Sequence, residues 1–222
     1  MEREIDMGKL RGYFEKIGWK RLVVMVIGNV FLGMGVSIFK FAGLGNDPYS
    51  GMVMGLSDVV GISYANFIII INIFIFLLEF FGGKEYIGAG TIVNAIFLGY
   101  ITTFFYELWL HLFALPTVLV TKILIMLVGT VASGFGVSMY QTPNAGISPY
   151  DSISVIMAKR IPKISYFWHR IFTDAVCALI CFLSGGIVGL GTLVSAFGLG
   201  PVIDFFNVHF TRKLFGEDED IL

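Results

Sequence analysis

An all-α, polytopic membrane helix bundle is the fold class this sequence predicts, built as two tandem repeats with about six full spans and two short broken or re-entrant helices. Three observations carry that reading: long runs without a charged residue, a composition short of charge, and a self-similarity at one fixed offset. Leu22 to Phe39, Val59 to Leu78, Tyr86 to Tyr106, Ile123 to Tyr140 and Ala175 to Ile203 contain no Asp, Glu, Lys or Arg. A spanning helix needs about 20 mostly apolar residues. The last run is long enough for parts of two helices, with Ser184-Gly185-Gly186 as the turn between them.

The composition is 56% hydrophobic and 14% charged, against about 45–50% and about 25% for a soluble domain. A soluble core needs a polar shell, and here the charges gather at the two ends and in short patches between apolar runs, so the apolar surface faces lipid. Net charge is −1, which supplies no basic field for nucleic acid. Arg3, Lys9, Arg11, Lys16, Lys20 and Arg21 precede the first apolar run. That run is span-length, with no small-residue cleavage site after it, and reads as a retained first helix. Cys177 and Cys181 lie four apart on an apolar helix and read as small hydrophobes rather than a disulfide framework.

The offset is 101 residues. Gly35-Val36-Ser37 falls on Gly136-Val137-Ser138, Gly45 on Gly146 and Pro48-Tyr49 on Pro149-Tyr150. Ile62-Ser63-Tyr64 falls on Ile164-Ser165-Tyr166 with one inserted residue, and the original offset returns for Gly88 to Phe105 over Gly189 to Phe206. Each unit reads as a long helix, a Gly/Pro-broken stretch with a short helix (about Pro48 to Val60 and Pro149 to Arg160), a long helix, and a Gly-rich long helix. The organisation expected is a basic cytoplasmic N-terminus with an amphipathic segment (1–21), a first membrane repeat (22–110), a second (118–208) and an acidic cytoplasmic tail (209–222).

If the short helices only dip into the membrane, each unit crosses three times and the second is inverted relative to the first. Lys84, the cluster Lys159, Arg160 and Lys163, and Arg212 and Lys213 then share the cytoplasmic side with the N-terminus. Four crossings per unit also leave both termini inside and strand only Lys84 outside, so charge alone leaves both schemes open, with inversion preferred.

The broken stretches are the candidate site. Glycines let the backbone bend, Asp47 or Ser148 can accept an amide N–H as helix cap, and the following Pro needs no donor. Irregular backbone at membrane depth survives only when buried in protein or lining a wet cavity, and paired Gly/Pro interruptions are the best sequence pointer to a transporter site. The substrate-binding candidates are Asn46, Asp47, Tyr49 and Ser50 in the first break, Asn144, Ser148, Tyr150 and Asp151 in the second, and Asn72 and Asp174 from mid-span positions. The rival reading makes the breaks interfacial helix caps, with Ser148 and Asp151 resembling a capping box. Carboxylates in the first turns tilt the expected solute away from anions.

Asp174 is the strongest acidic candidate, as carrier of a coupling proton or as partner of His169 or Arg170 one turn earlier. Glu79 and Glu107 lie nearer span ends and read as solvated or paired. Asn94, Thr91, Thr192 and Ser195 read as interhelical glue, and Gly88, Gly90, Gly99, Gly189, Gly191 and Gly200 as close-packing seams. Trp19, Trp109 and Trp168 read as interfacial anchors. The sequence offers no metal-ligand cluster and no phosphate loop, so no metal or other cofactor is expected; nor does it offer a nucleophile with its base, so no enzyme is expected.

Gly43-Leu44-Gly45-Asn46-Asp47-Pro48-Tyr49, and Gly189-Leu190-Gly191-Thr192 through Gly200-Pro201-Val202-Ile203-Asp204-Phe205-Phe206, resemble the bacterial YczE/YyaS/YitT group of membrane proteins over nearly the whole chain. The resemblance implies a bacterial inner-membrane, multi-pass protein and carries no catalytic residue across. A separate likeness, of architecture alone, is to aquaporin-type channels, whose two inverted units each contribute a short helix beginning Asn-Pro. Asp47-Pro48 and Ser148-Pro149 depart from that motif, which puts water or glycerol selectivity in doubt.

The function expected is a transporter or channel in the plasma membrane for a small polar or cationic solute, both termini cytoplasmic. The alternative is a non-transporting membrane subunit or regulator acting through a protein partner. The expected partners are the lipid bilayer and a small-molecule solute; the Gly51 to Gly55 spacing adds a weak homodimer signal.

Overall fold

The structure is a computed structural model that describes residues 17–216. Its helices are α1 (Trp19–Ala42), α2 (Pro48–Val60), α3 (Tyr64–Gly82), α4 (Ala89–Leu112), α5 (Leu119–Gln141), α6 (Pro149–Arg160), α7 (Tyr166–Leu183) and α8 (Leu190–Phe206). A 3-10 turn, Lys84–Tyr86, links α3 to α4, and α8 continues through a π turn, Asn207–Thr211, to Leu214. Arg3, Lys9, Arg11, Lys16 and the acidic tail from Glu217 lie outside the described residues.

Six helices are long and apolar enough to cross a bilayer among the described residues: α1, α3, α4, α5, α7 and the extended α8. At 13 and 12 residues, α2 and α6 reach only about 18–20 Å, short of a hydrocarbon core of about 30 Å. The spans present Phe74, Leu78, Phe104, Leu127, Phe172 and Leu179 outward, which is the surface a bilayer covers. Trp19 and Trp168 are exposed at helix starts, whereas the Trp109 indole donates to Ser37 Oγ at 2.9 Å.

α1 and α5 cross in the middle of the bundle, antiparallel, on a glycine seam. A Cβ on Gly28 would lie 2.5 Å from the Tyr140 amide nitrogen and 2.8 Å from the carbonyl carbon of Met139; one on Gly129 would meet Ile38 and Phe39 at 3.2 Å. Gly35 and Gly136 are equally constrained, against Ser133 and Leu32. No side chain larger than hydrogen permits this backbone approach, so the glycines fix the depth of the crossing.

Ile17, Arg21, Glu85 to Ile87 and Pro143 to Ile147 converge at one end of the bundle, where Lys20 Nζ also donates to Leu214 O at 2.5 Å. Leu44 and Gly45 meet Ile187, Gly189 and Gly191 elsewhere. Each short helix packs on a span from the other half of the chain. Gly51 and Gly55 of α2 lie against Cys181 and Ser184 of α7 and its following turn, while Ile156 of α6 lies against Gly82 and Gly83 at the end of α3. The Gly51 to Gly55 spacing is therefore used inside the chain.

Two expectations are corrected. Gly200 belongs to no seam, since a Cβ there would meet nothing within 4 Å. Glu79 does not reach interfacial water: it is 0% exposed, because α6 lies over the last turns of α3, a long-range contact that position within the span does not reveal.

Candidate functional site at the paired helix breaks

Each break is built from local chemistry. In the first, Gly43 (φ 66°) closes α1 and Gly45 (φ 98°) turns the chain. The Asn46 side chain then donates to Val36 O at 3.1 Å and accepts the Asp47 N–H at 2.9 Å. That folds the loop back along α1, and Asp47 Oδ1 accepts the Ser50 N–H at 2.9 Å to start α2. In the second, Asn144 (φ 53°) and Gly146 (φ 111°) make the turn, and Ser148 Oγ accepts the Asp151 N–H at 3.2 Å to start α6. Pro at the first helical position sacrifices no hydrogen bond in either case.

The loops are satisfied by the opposite half. Gly191 N–H donates to Leu44 O, and Gly90 N–H to Ala145 O, both at 2.8 Å. Thr91 Oγ1 donates to Ile147 O at 2.7 Å. Irregular backbone is thus paired inside protein, the condition under which it is tolerated at membrane depth.

The two short helices meet through aromatic rings. Tyr49 and Tyr150 stack with centroids 4.5 Å apart and planes 9° from parallel. Tyr49 Oη donates to Asn72 Oδ1 at 2.7 Å, and Asn72 Nδ2 donates to Ala95 O at 3.1 Å. Tyr150 Oη donates to Asp174 Oδ1 at 2.5 Å. All four side chains are buried.

Charge separates the halves. Arg170 pairs with Asp151 and, through Nε, with Asp174 Oδ2 at 3.4 Å, and its guanidinium lies 4.9 Å from the Tyr150 ring centroid. Asp151 also accepts from the Tyr140 hydroxyl and from Gln141 Nε2 at 3.2 Å. Of the two partners weighed for Asp174, Arg170 is the one present; His169 sits against Ile161 O at 3.4 Å. Asp47 interacts electrostatically with both Asp174 and Arg170, and its Oδ2 is buried without a hydrogen-bond partner. One guanidinium therefore pairs with two carboxylates, with a third, Asp47, left outside the pairing.

The expected residues divide accordingly. Asp47, Tyr49, Tyr150, Asp151, Asn72 and Asp174 come together; Asn46, Ser50 and Ser148 shape the breaks beside them. Asn144 stands apart, exposed on the rim of a recess of about 470 Å³ at the end that holds Arg21 and Glu85. Beyond that rim Glu85 pairs with Lys159. The pair holds the Glu85 carboxyl below its ordinary range and raises the Lys159 ammonium.

Tyr140 and Gln141 were not among the sequence candidates. Their signal was available as asymmetry: Tyr140 falls at the offset of Phe39 and Gln141 at that of Lys40. Among the described residues no group of three His, Cys, Asp or Glu gathers to hold a metal ion, and Cys177 and Cys181 are free and buried.

An uncharacterized protein of Haemophilus influenzae is 30% identical over 194 residues, covering 85% of this chain and 84% of its own. Uncharacterized protein YyaS of Bacillus subtilis is 23% identical over 198 residues, 84% of this chain and 94% of its own. Uncharacterized membrane protein YczE, also of Bacillus subtilis, is 24% identical over 181 residues, 80% of this chain and 81% of its own. No solved structure gives a significant match. Matched from residue 19 to residue 208, this polytopic membrane chain belongs to the family of unknown function DUF6198.

Proposed function

We propose that the protein is a carrier for a small polar or cationic solute, received where α2 and α6 meet. The observation that carries the reading is Asp47 Oδ2, a buried carboxylate oxygen without a partner, beside a cluster in which a single guanidinium already serves Asp151 and Asp174. A cation or a dense hydrogen-bond donor complements that imbalance; an anion does not. The stacked rings of Tyr49 and Tyr150 fill the centre, so passage requires them to part, which favours alternating access over an open pore.

Inverted repeats supply the means for such a movement. Their support is the reciprocity of the contacts: Gly35 on Ser133 answers Gly136 on Leu32, Gly28 on Met139 and Tyr140 answers Gly129 on Ile38 and Phe39, and Leu44–Gly191 answers Ala145–Gly90. Lys84 then shares the cytoplasmic side of the plasma membrane with both termini.

The test is flux into proteoliposomes of purified protein for a panel of small amines, guanidinium compounds and neutral polyols, with thermal unfolding in parallel. A bound solute at about 100 times its Kd adds about 2.7 kcal/mol to the folded state. Flux and stabilisation by the same solute, both lost in Asp47→Asn, is the expected result. No flux and no stabilisation, with a stoichiometric protein partner retained through purification, overturns the carrier and leaves a non-transporting subunit.

A further inference from the structure

Glu79 stands outside the site described above and, among the described residues, is a buried acid with both carboxylate oxygens unpartnered. It lies one turn from the end of α3, 0% exposed. The polar side chain it meets is Ser152 of α6, whose hydroxyl donates instead to Pro149 O at 2.7 Å.

Among the described residues, no charged group around it hydrogen-bonds to its carboxylate. On α6, Lys159 pairs with Glu85, and Arg160, an exposed residue, reaches toward Gly82 beyond Glu79. On the 3-10 turn, Lys84 lies 4.3 Å from the Phe80 ring centroid, and Tyr86 packs by Gly83. From α4, Tyr100 donates to Asn66 near the opposite end of α3. From α2, Tyr49 is bonded to Asn72, and Asp58 sits in the last turn of a helix that leads into the start of α3. An ionised carboxylate in such surroundings would be a buried charge without compensation, and groups so placed take up a proton instead.

We propose that Glu79 is a proton-binding residue, protonated in this conformation, whose deprotonation requires α6 to separate from α3. On separation the carboxyl O–H bond breaks and the proton passes to water at the adjacent end of the bundle. Ser152 lies next to Asp151 and two residues from Tyr150, so the movement that wets Glu79 also moves the short helix that brings those two side chains to the centre. Proton release and rearrangement of the Tyr49–Tyr150 contact are thereby linked. Coupling of this proton to solute movement rests on the carrier reading; the proton site itself does not.

The experiment is a pH titration of Cδ-labelled glutamate by carbon-13 NMR, on the full chain in lipid nanodiscs, with hydrogen exchange of α6 followed over the same range. The expected result is one carboxyl signal, absent in Glu79→Gln, with the chemical shift of a protonated carboxyl at neutral pH. Exchange in α6 should rise as that signal deprotonates, and lose this pH dependence in Glu79→Gln. A Glu79 signal that titrates in the ordinary range overturns the proposal. So does a signal ionised at neutral pH that responds to sodium, which would make the residue a metal-cation ligand, and so does α6 exchange with the same pH dependence in both proteins. None of these readouts needs a transported solute, so failure here and failure of the carrier reading are separately visible.

Discussion

Tyr49 and Tyr150, residues from opposite halves of the chain, lie ring on ring with centroids 4.5 Å apart, yet their hydroxyls end on unlike acceptors, the amide of Asn72 and the carboxylate of Asp174. Removing each hydroxyl while keeping the ring separates the two. Tyr49→Phe should lower unfolding stability in detergent by about 1 kcal/mol and Tyr150→Phe by about 2 kcal/mol, because a bond to a charged acceptor contributes more. Equal losses would show that Asp174 acts here as a neutral acceptor.

Arg170 holds Asp151 and Asp174 together. Arg170→Met leaves both acids buried without their cation and should cost about 3–5 kcal/mol. Adding Asp151→Asn and Asp174→Asn to that variant should recover a large part of the loss in the same thermal unfolding assay. A triple variant no more stable than Arg170→Met would mean the guanidinium acts through packing rather than charge.

The glycine seam makes a paired steric prediction. Gly28→Val drives a branched side chain into the Tyr140 backbone and should destabilise by about 3 kcal/mol or prevent accumulation in the membrane. Gly200→Ala enters open space and should leave unfolding unchanged or slightly later, since Ala favours a helix over Gly. Comparable damage at both positions would remove close approach as the reason for Gly28.

Glu85 and Lys159 give a pH dependence outside the spans. The depressed Glu85 carboxyl stabilises above its unfolded value of about 4.3 and loses that contribution as pH falls through its folded value; the raised Lys159 ammonium stabilises below about 10.4 and loses its share as pH rises past its folded value. Both groups are exposed, so the effect is small and screened by salt. Thermal unfolding against pH at low ionic strength should show two shallow limbs that flatten in Glu85→Gln. Limbs that persist in that variant would belong to other groups.

The helices and their ends were legible because their causes are local. The expected starts at Pro48 and Pro149 and ends at Val60 and Arg160 match α2 and α6, since a capping side chain followed by Pro fixes a helix start whatever surrounds it. The turn at Ser184-Gly185-Gly186 was read the same way. Tertiary facts were less accessible. Arg170 reaches Asp151 across 19 residues, and Tyr49 meets Tyr150 from 101 residues away. Neither contact follows from helical periodicity, which is local. Glu79 misled because its place near a span end implies water, while the helix that covers it lies about 70 residues further on.

The exchange of partners between the halves sets a schedule for synthesis. Leu44 O receives its hydrogen bond from Gly191 N–H, a residue 147 positions later in the chain. At about 5–20 residues per second, a ribosome needs roughly 7–30 s to cover that stretch. During that interval the first break sits at the membrane with a backbone carbonyl lacking its final donor. The first half therefore cannot reach its final form before the second is inserted, and the insertion machinery or bound water must shelter that loop until α8 arrives.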